Sequence, residues 1–310
     1  MHFSVWPIAP QSWSSISSLA TEVDYGFWHC IYVADHFMTQ DGGPQEVLES
    51  TSVLAALAAT TSRIRLASLV LSMTYRHPAV VANWAVTVDR ISDGRLTLGL
   101  GTGWQINEHG QYGLAMGQPG ERVGRFAEGV AVIESLLTKP TTTFEGQHYR
   151  LTEAECEPKP VQSPLPLLVG AAAPRMLRVA ARHANQWNQW SVPGGFKTTS
   201  RVFDAACERE GRDPATIWRS TQALTMITNS AESTAQAEAI AAQVPFPMIH
   251  GTPAQIADQV SAWRDEGVDE VIFPDYLMPR GAERMDAYDE IAEAVAPLTT
   301  PPPYEKRPGR

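Results

Sequence analysis

Between residues 64 and 104 the pattern of apolar and polar positions writes one strand, one helix and a second strand in succession. Positions 64–73 are apolar apart from Arg65 and small residues. Pro78 then opens a stretch in which Val80, Val81, Trp84, Val88 and Ile91 recur at helical spacing. Apolar residues three and four apart mark an amphipathic helix. Gly94 follows it, suited to the left-handed conformation that ends helices, and a second apolar run covers 96–100. Both strand runs are apolar throughout rather than alternating. This predicts parallel strands covered on both faces.

The same alternation extends in both directions. Strands are predicted over 3–8, 30–33, 167–170, 186–190, 218–227 and 268–273, with helices over 12–24, 45–60, 122–137, 174–184, 196–210, 252–267 and 283–295. An extra helix is expected over 231–242, and a proline-rich hairpin over 141–166. Eight strands alternating with helices predict a single α/β domain, a (β/α)8 TIM barrel over residues 1–298. Its insertions, near 104–120, 141–166 and 229–251, are placed at the C-terminal face. A doubly wound open sheet is the other architecture with this pattern. It would want a glycine-rich turn after the first strand, and Pro7-Ile8-Ala9-Pro10 is not one. Residues 299–310 read as a proline-rich C-terminal tail.

Composition narrows the class. With 310 residues, 44% of them hydrophobic and 19% charged, the chain can bury a large core. The net charge of -10, with basic residues scattered, argues against a nucleic-acid partner. Cys30, Cys156 and Cys207 are widely spaced, fit no metal motif and suggest a reducing compartment. No stretch approaches the roughly 20 apolar residues of a membrane span. The start, Met1 to Trp6, reads as a strand rather than a signal peptide. The expectation is a cytoplasmic protein with no membrane partner.

Candidate chemistry falls at predicted strand ends, where barrels of this kind carry their sites. Asp35-His36 follows the second strand. The imidazole could exchange a proton near neutral pH, or could simply be held by Asp35. Gly99, Gly101 and Gly103 close the fourth strand and would let a flat ligand approach the backbone. Asn107 and Glu108 lie on the loop beyond, as ligand contacts or as solvated residues. Gly170-Ala171-Ala172-Ala173-Pro174 opens a helix whose free N–H groups would suit a phosphate, with Arg175 and Arg178 adding charge. A short turn with two solvated arginines is the simpler alternative. No nucleophile motif and no metal-ligand spacing is present, so a metal enzyme is disfavoured.

Taken in order, these segments resemble the luciferase-like monooxygenase superfamily of flavin and deazaflavin oxidoreductases. The matching pieces are Ala34-Asp35-His36-Phe37, Tyr75-Arg76-His77-Pro78-Ala79, Ser92-Asp93-Gly94-Arg95-Leu96 and Gly99-Leu100-Gly101-Thr102-Gly103-Trp104. Pro166 to Gly170, Arg178 to Arg182, Trp187-Asn188, Gly251-Thr252-Pro253 and Gly267-Val268-Asp269 continue the series. The chain looks closest to the coenzyme F-420-dependent branch, with FMN the alternative cofactor. The resemblance implies a homodimeric TIM barrel with the deazaflavin ring at the C-terminal mouth beside Asp35 and the catalytic His36. It implies a non-prolyl cis peptide at Ser68-Leu69, coenzyme contact at Gly101 and Asn107, and phosphate binding by Gly170, Ala171, Ala172 and Arg175. Sugar-phosphate dehydrogenases of this branch carry a glutamate proton donor where this chain has Trp104. Trp13, Trp104 and Trp190 point instead to a small apolar or aromatic substrate. A monooxygenase using FMN, and a non-catalytic ligand-binding barrel, are the competing functions.

Overall fold

The computed structural model describes residues 1–8 and 10–299; the predicted tail from residue 300 on lies outside the described residues. In chain order the first half runs β1 (His2–Trp6), α1 (Trp13–Val23), β2 (Cys30–Val33), α2 (Ser50–Thr60), β3 (Arg65–Ser68), β4 (Leu71–Ser72), α3 (Pro78–Ile91) and β5 (Leu96–Gly101). Then come α4 (Ile106–Tyr112), α5 (Pro119–Thr138), β6 (Thr142–Glu145), β7 (Arg150–Ala154), β8 (Leu167–Gly170), α6 (Pro174–His183), β9 (Gln186–Trp190) and α7 (Phe196–Arg209). The chain finishes with β10 (Trp218–Gln222), β11 (Leu224–Ile227), α8 (Ala231–Ala241), β12 (Met248–Gly251), α9 (Pro253–Asp265), β13 (Glu270–Pro274) and α10 (Ala282–Val295).

The barrel wall follows the order β1, β2, β3 with β4, β5, β8, β9, β10 and β13. Parallel pairing of β13 with β1 and of β3 with β5 closes the ring. This is the predicted (β/α)8 TIM barrel. Large side chains pack between its outer wall and the helices, among them Leu54, Val88, Ile133, Trp187, Trp263 and Ile291. A separate cluster of Trp6, Tyr32, Ala67, Leu69, Leu168 and Ile272 fills the inside, as strand alternation requires.

Three elements depart from the sequence reading. Helix α2 starts at Ser50, not near 45, because Glu49 folds back to accept from the N–H groups of Thr51 and Ser52 and caps it. The predicted strand over 218–227 splits at Ala223. Its second half leaves the barrel and pairs in parallel with β12, inside the segment expected to be an insertion. The third predicted strand is interrupted between Ser68 and Leu71, and the cis peptide there joins Leu69 to Val70 rather than Ser68 to Leu69.

That interruption explains the glycines of β5. A Cβ on Gly99 would lie 1.9 Å from the Ser68 carbonyl oxygen, and one on Gly101 would lie 2.5 Å from Val70 Cγ2. These glycines make room for the bulge of the neighbouring strand. The bulge in turn carries Leu69 and Val70 into the mouth of the barrel.

The opposite end of the barrel holds a buried carboxyl. Glu270 accepts from Ser4 Oγ, from Tyr32 Oη at 3.0 Å and from Trp218 Nε1 at 3.0 Å. Burial raises its pKa against the opposing effect of those bonds, which favours a neutral Glu270 in the fold. Stability from this group is then present below its unfolded value and is lost as pH rises through the raised folded value. Glutamine fits the same partners, its oxygen accepting from Trp218 and its amide donating to Ser4 and Tyr32. Glu270→Gln should therefore match the parent at pH 4 and exceed it in stability at pH 8. Denaturant titration at both values reads this, and an equal offset at the two would contradict it.

Candidate active site

The mouth is organised by Asp35, just past the end of β2. Its carboxylate accepts from Ser50 Oγ at 2.6 Å, from the Ser72 N–H at 2.8 Å, and from Arg76 Nη1 and Nη2 at 2.6 and 2.9 Å. Arg76 also meets Glu49. Burial works against Glu49, but bonds from Ser52, Thr51 and Arg76 more than offset it and hold its carboxyl down at about 2. Asp35 thus fastens the end of β2 to α2, β4 and the loop before α3. It lines the cavity, but its oxygens are already committed to protein donors.

The next residue, His36, is fixed by a carboxylate from another element. Helix α4 places Glu108 with no side-chain exposure. Glu108 accepts from His36 Nδ1 at 2.8 Å, from the Phe37 N–H at 2.7 Å and from Tyr75 Oη. Burial would raise its pKa, but the bonds from His36, Phe37 and Tyr75 outweigh that and hold it below the usual carboxylate range. An ionised Glu108 only accepts, so it places a proton on His36 Nδ1, and in the neutral imidazole Nε2 then carries the lone pair. Trp104 stands edge-on to the imidazole, ring centres 5.4 Å apart.

Asp35, His36, Tyr75 and Trp104 border a cavity of about 360 Å³. Leu69 and Val70 from the bulge, Gly101 from β5, Gly170 ending β8 and Ala171 and Ala172 beyond it line the cavity, as do Trp6, Trp190 and Gln222. Asn188 Nδ2, also in the wall, is held by Ser220 Oγ and Gln222 Oε1 at 2.9 and 2.8 Å.

Of the residues singled out in the sequence, Asp35, His36, Leu69, Gly101, Gly103, Gly170, Ala171, Ala172, Trp104 and Trp190 meet at this cavity. The others stand elsewhere. Ser68 sits one residue before the bulge, its hydroxyl bonded to the Gly99 backbone. Asn107, in the first turn of α4, donates to the carbonyls of Thr39 and Gln40, at 2.9 and 3.2 Å, and so ties that helix to the loop after β2. Arg175 reaches the Gly120 carbonyl at 3.5 Å. Trp13 begins α1 and packs against the outer core. Conversely, Glu108, Tyr75 and Arg76 carry more of the site than their sequence context suggested. The signal for Glu108 was its place two residues into the short helix after β5.

The wall suits a flat ring with a phosphate-bearing tail. The bulge offers Leu69 and Val70 as an apolar surface beside Gly101 and Gly170. At the edge of the same cavity, α6 begins at Pro174 after Ala173, with no side chain capping its first N–H groups. Uncapped N–H groups at a helix start attract an anion. FMN and a deazaflavin both carry these two parts.

Comparison with known proteins agrees with this geometry. The chain is 35% identical over 190 residues to an F-420-dependent glucose-6-phosphate dehydrogenase of Nakamurella multipartita, covering 60% of this chain and 52% of that protein. It is 31% identical over 172 residues to the pyrimidine monooxygenase RutA of Caulobacter segnis, covering 54% of this chain and 48% of that protein. The chain thus spans about half the length of the curated relatives it matches. Among solved structures, an F-420-dependent secondary alcohol dehydrogenase in complex with an F-420–acetone adduct superposes with a TM-score of 0.81. That match is at 16% identity, over 95% of this chain and 99% of the other. The coenzyme F-420-dependent tetrahydromethanopterin reductase of Methanopyrus kandleri gives 0.78 at 20% identity, over 96% and 99%. At such identities the superpositions establish the shared fold. The family model for luciferase-like monooxygenases matches residues 1–248, and the chain belongs to that family.

Proposed function

We propose that this chain is an oxidoreductase that moves a hydride between coenzyme F-420 and a small organic substrate. The observation that carries the reading is His36, set in the cavity wall with Nδ1 tied to Glu108 and no hydrogen bond to Nε2 among the described residues. F-420-dependent relatives support the choice of cofactor. The deazaflavin supplies a carbon that takes up or gives back a hydride. Leu69 and Val70 would support its ring, and the start of α6 its phosphate. His36 Nε2 accepts the substrate proton when the substrate is oxidised and returns it in the reverse direction. Glu108 keeps the imidazole in that tautomer and in place. Trp104 and Trp190 line the side where a substrate would enter, and they favour an apolar or aromatic one. Among the described residues no helix is long and apolar enough to cross a membrane. The same reading includes a homodimer in the cytoplasm with no nucleic-acid partner, and sedimentation velocity tests the dimer.

The competing activity is an FMN-dependent monooxygenase, favoured by the relatives of that kind. Oxygen separates the two. Substrate conversion should proceed under strict anaerobiosis, with the deazaflavin absorbance changing in step. Conversion that stops without oxygen, and resumes with FMN and air, would overturn the reading.

A further inference from the structure

A second chamber, of about 700 Å³, opens beside the first and shares His36, Trp104, Trp190, Ile8 and Phe246 with it. Its lining is mainly apolar: Ile16 from α1, Val33 at the end of β2, Val53 from α2, and Met38, Leu48 and Leu224, with the buried Gln105 among them, its amide donating to the Met38 carbonyl. Ile16, Val33, Val53 and Leu224 are buried. Its acidic and basic residues, Asp41, Glu46 and Arg280, are exposed and sit at the rim. Arg280 lies 3.8 Å from the buried Asp275, so even this cation faces a carboxylate. Trp104 and Phe246, 51% and 37% exposed, stand at the boundary of the two cavities.

We propose that this chamber is the substrate site and that it takes an uncharged, extended apolar molecule. Its reacting end lies at His36 and its chain runs between α1 and α2. This rests on the hydride-transfer reading for the reacting end only; the chamber exists whatever fills the inner cavity. Burying an apolar chain is favourable in proportion to the area removed from water. A phosphorylated sugar would meet no inner-wall cation to replace its hydration.

The test uses unbranched 2-alkanones, from butan-2-one to tetradecan-2-one, with glucose 6-phosphate as the charged probe. Binding to the whole chain is measured by calorimetry, with and without coenzyme F-420. Affinity should rise about three- to fourfold per added methylene and then level off when the chamber is full. Glucose 6-phosphate should bind more weakly than the longer ketones. Leu48→Trp should move the plateau to shorter chains while leaving the F-420 dissociation constant unchanged, because Leu48 does not border the inner cavity. Val47→Trp, on the same loop, serves if the first variant does not fold. Affinity independent of chain length, or tighter binding of the sugar phosphate, overturns the proposal. Failure of F-420 to bind while the chain-length slope persists counts against the hydride-transfer reading alone.

Discussion

His36→Ala should lower turnover by about 10²- to 10⁴-fold, the usual contribution of a positioned acid–base group. The fold should survive, because His36 lies beyond the end of β2 and its side chain is 26% exposed. Its removal leaves Glu108 two other donors, the Phe37 N–H and Tyr75 Oη. Glu108→Gln is the sharper companion. The amide fills the same space, but toward His36 it can present an N–H instead of an acceptor. That would place the imidazole proton on Nε2 and remove the free lone pair. The variant should fold, bind cofactor as the parent does, and lose turnover in the oxidative direction with an altered pH profile. Unchanged turnover in both variants would take His36 out of the reaction.

Arg76→Met should cost about 3–5 kcal/mol of stability, the range seen when one partner of a buried ion pair is removed. Arg76 makes two bonds to the buried Asp35 and meets Glu49. Methionine keeps much of the length and apolar body but leaves Asp35 with Ser50 and the Ser72 N–H alone. The double variant with Asp35→Asn should recover part of the loss, since the uncompensated charge is then gone. Denaturant unfolding of the two single variants and the double variant measures the coupling. A loss below 1 kcal/mol for Arg76→Met would mean that the pair is not a structural tie.

The barrel was legible because its signal is local. Each strand is an apolar run that begins and ends within a few residues, and each helix repeats its apolar side every three or four positions. Gln186–Trp190 reads as a strand and is one. Where non-local pairing decides, the sequence was ambiguous. Residues 218–227 form one continuous pattern, yet only their partners, β9 and β13 for one half and β12 for the other, divide them. The position of the cis peptide depends on the register between β3 and β5, which no single segment carries.

The site was legible in part for the same reason. Asp35-His36 and the turn after β8 announce themselves by position at strand ends. Glu108 does not, because its burial comes from three donors on two other loops, at 36, 37 and 75. Asn107, its neighbour, read as a loop residue like it, turned out to join the first turn of α4 to the loop at 39–40. The glycines of β5 showed that something approaches closely, but not that it is the Ser68 carbonyl and the bulge residue Val70.

The inner cavity is proposed as a deazaflavin site. The most direct measurement is fluorescence titration of the apoprotein with coenzyme F-420 and, separately, with FMN. F-420 should bind at micromolar concentration or tighter, and FMN at least about tenfold more weakly, a difference of about 1.4 kcal/mol. Equal affinities, or tighter binding of FMN, would contradict it.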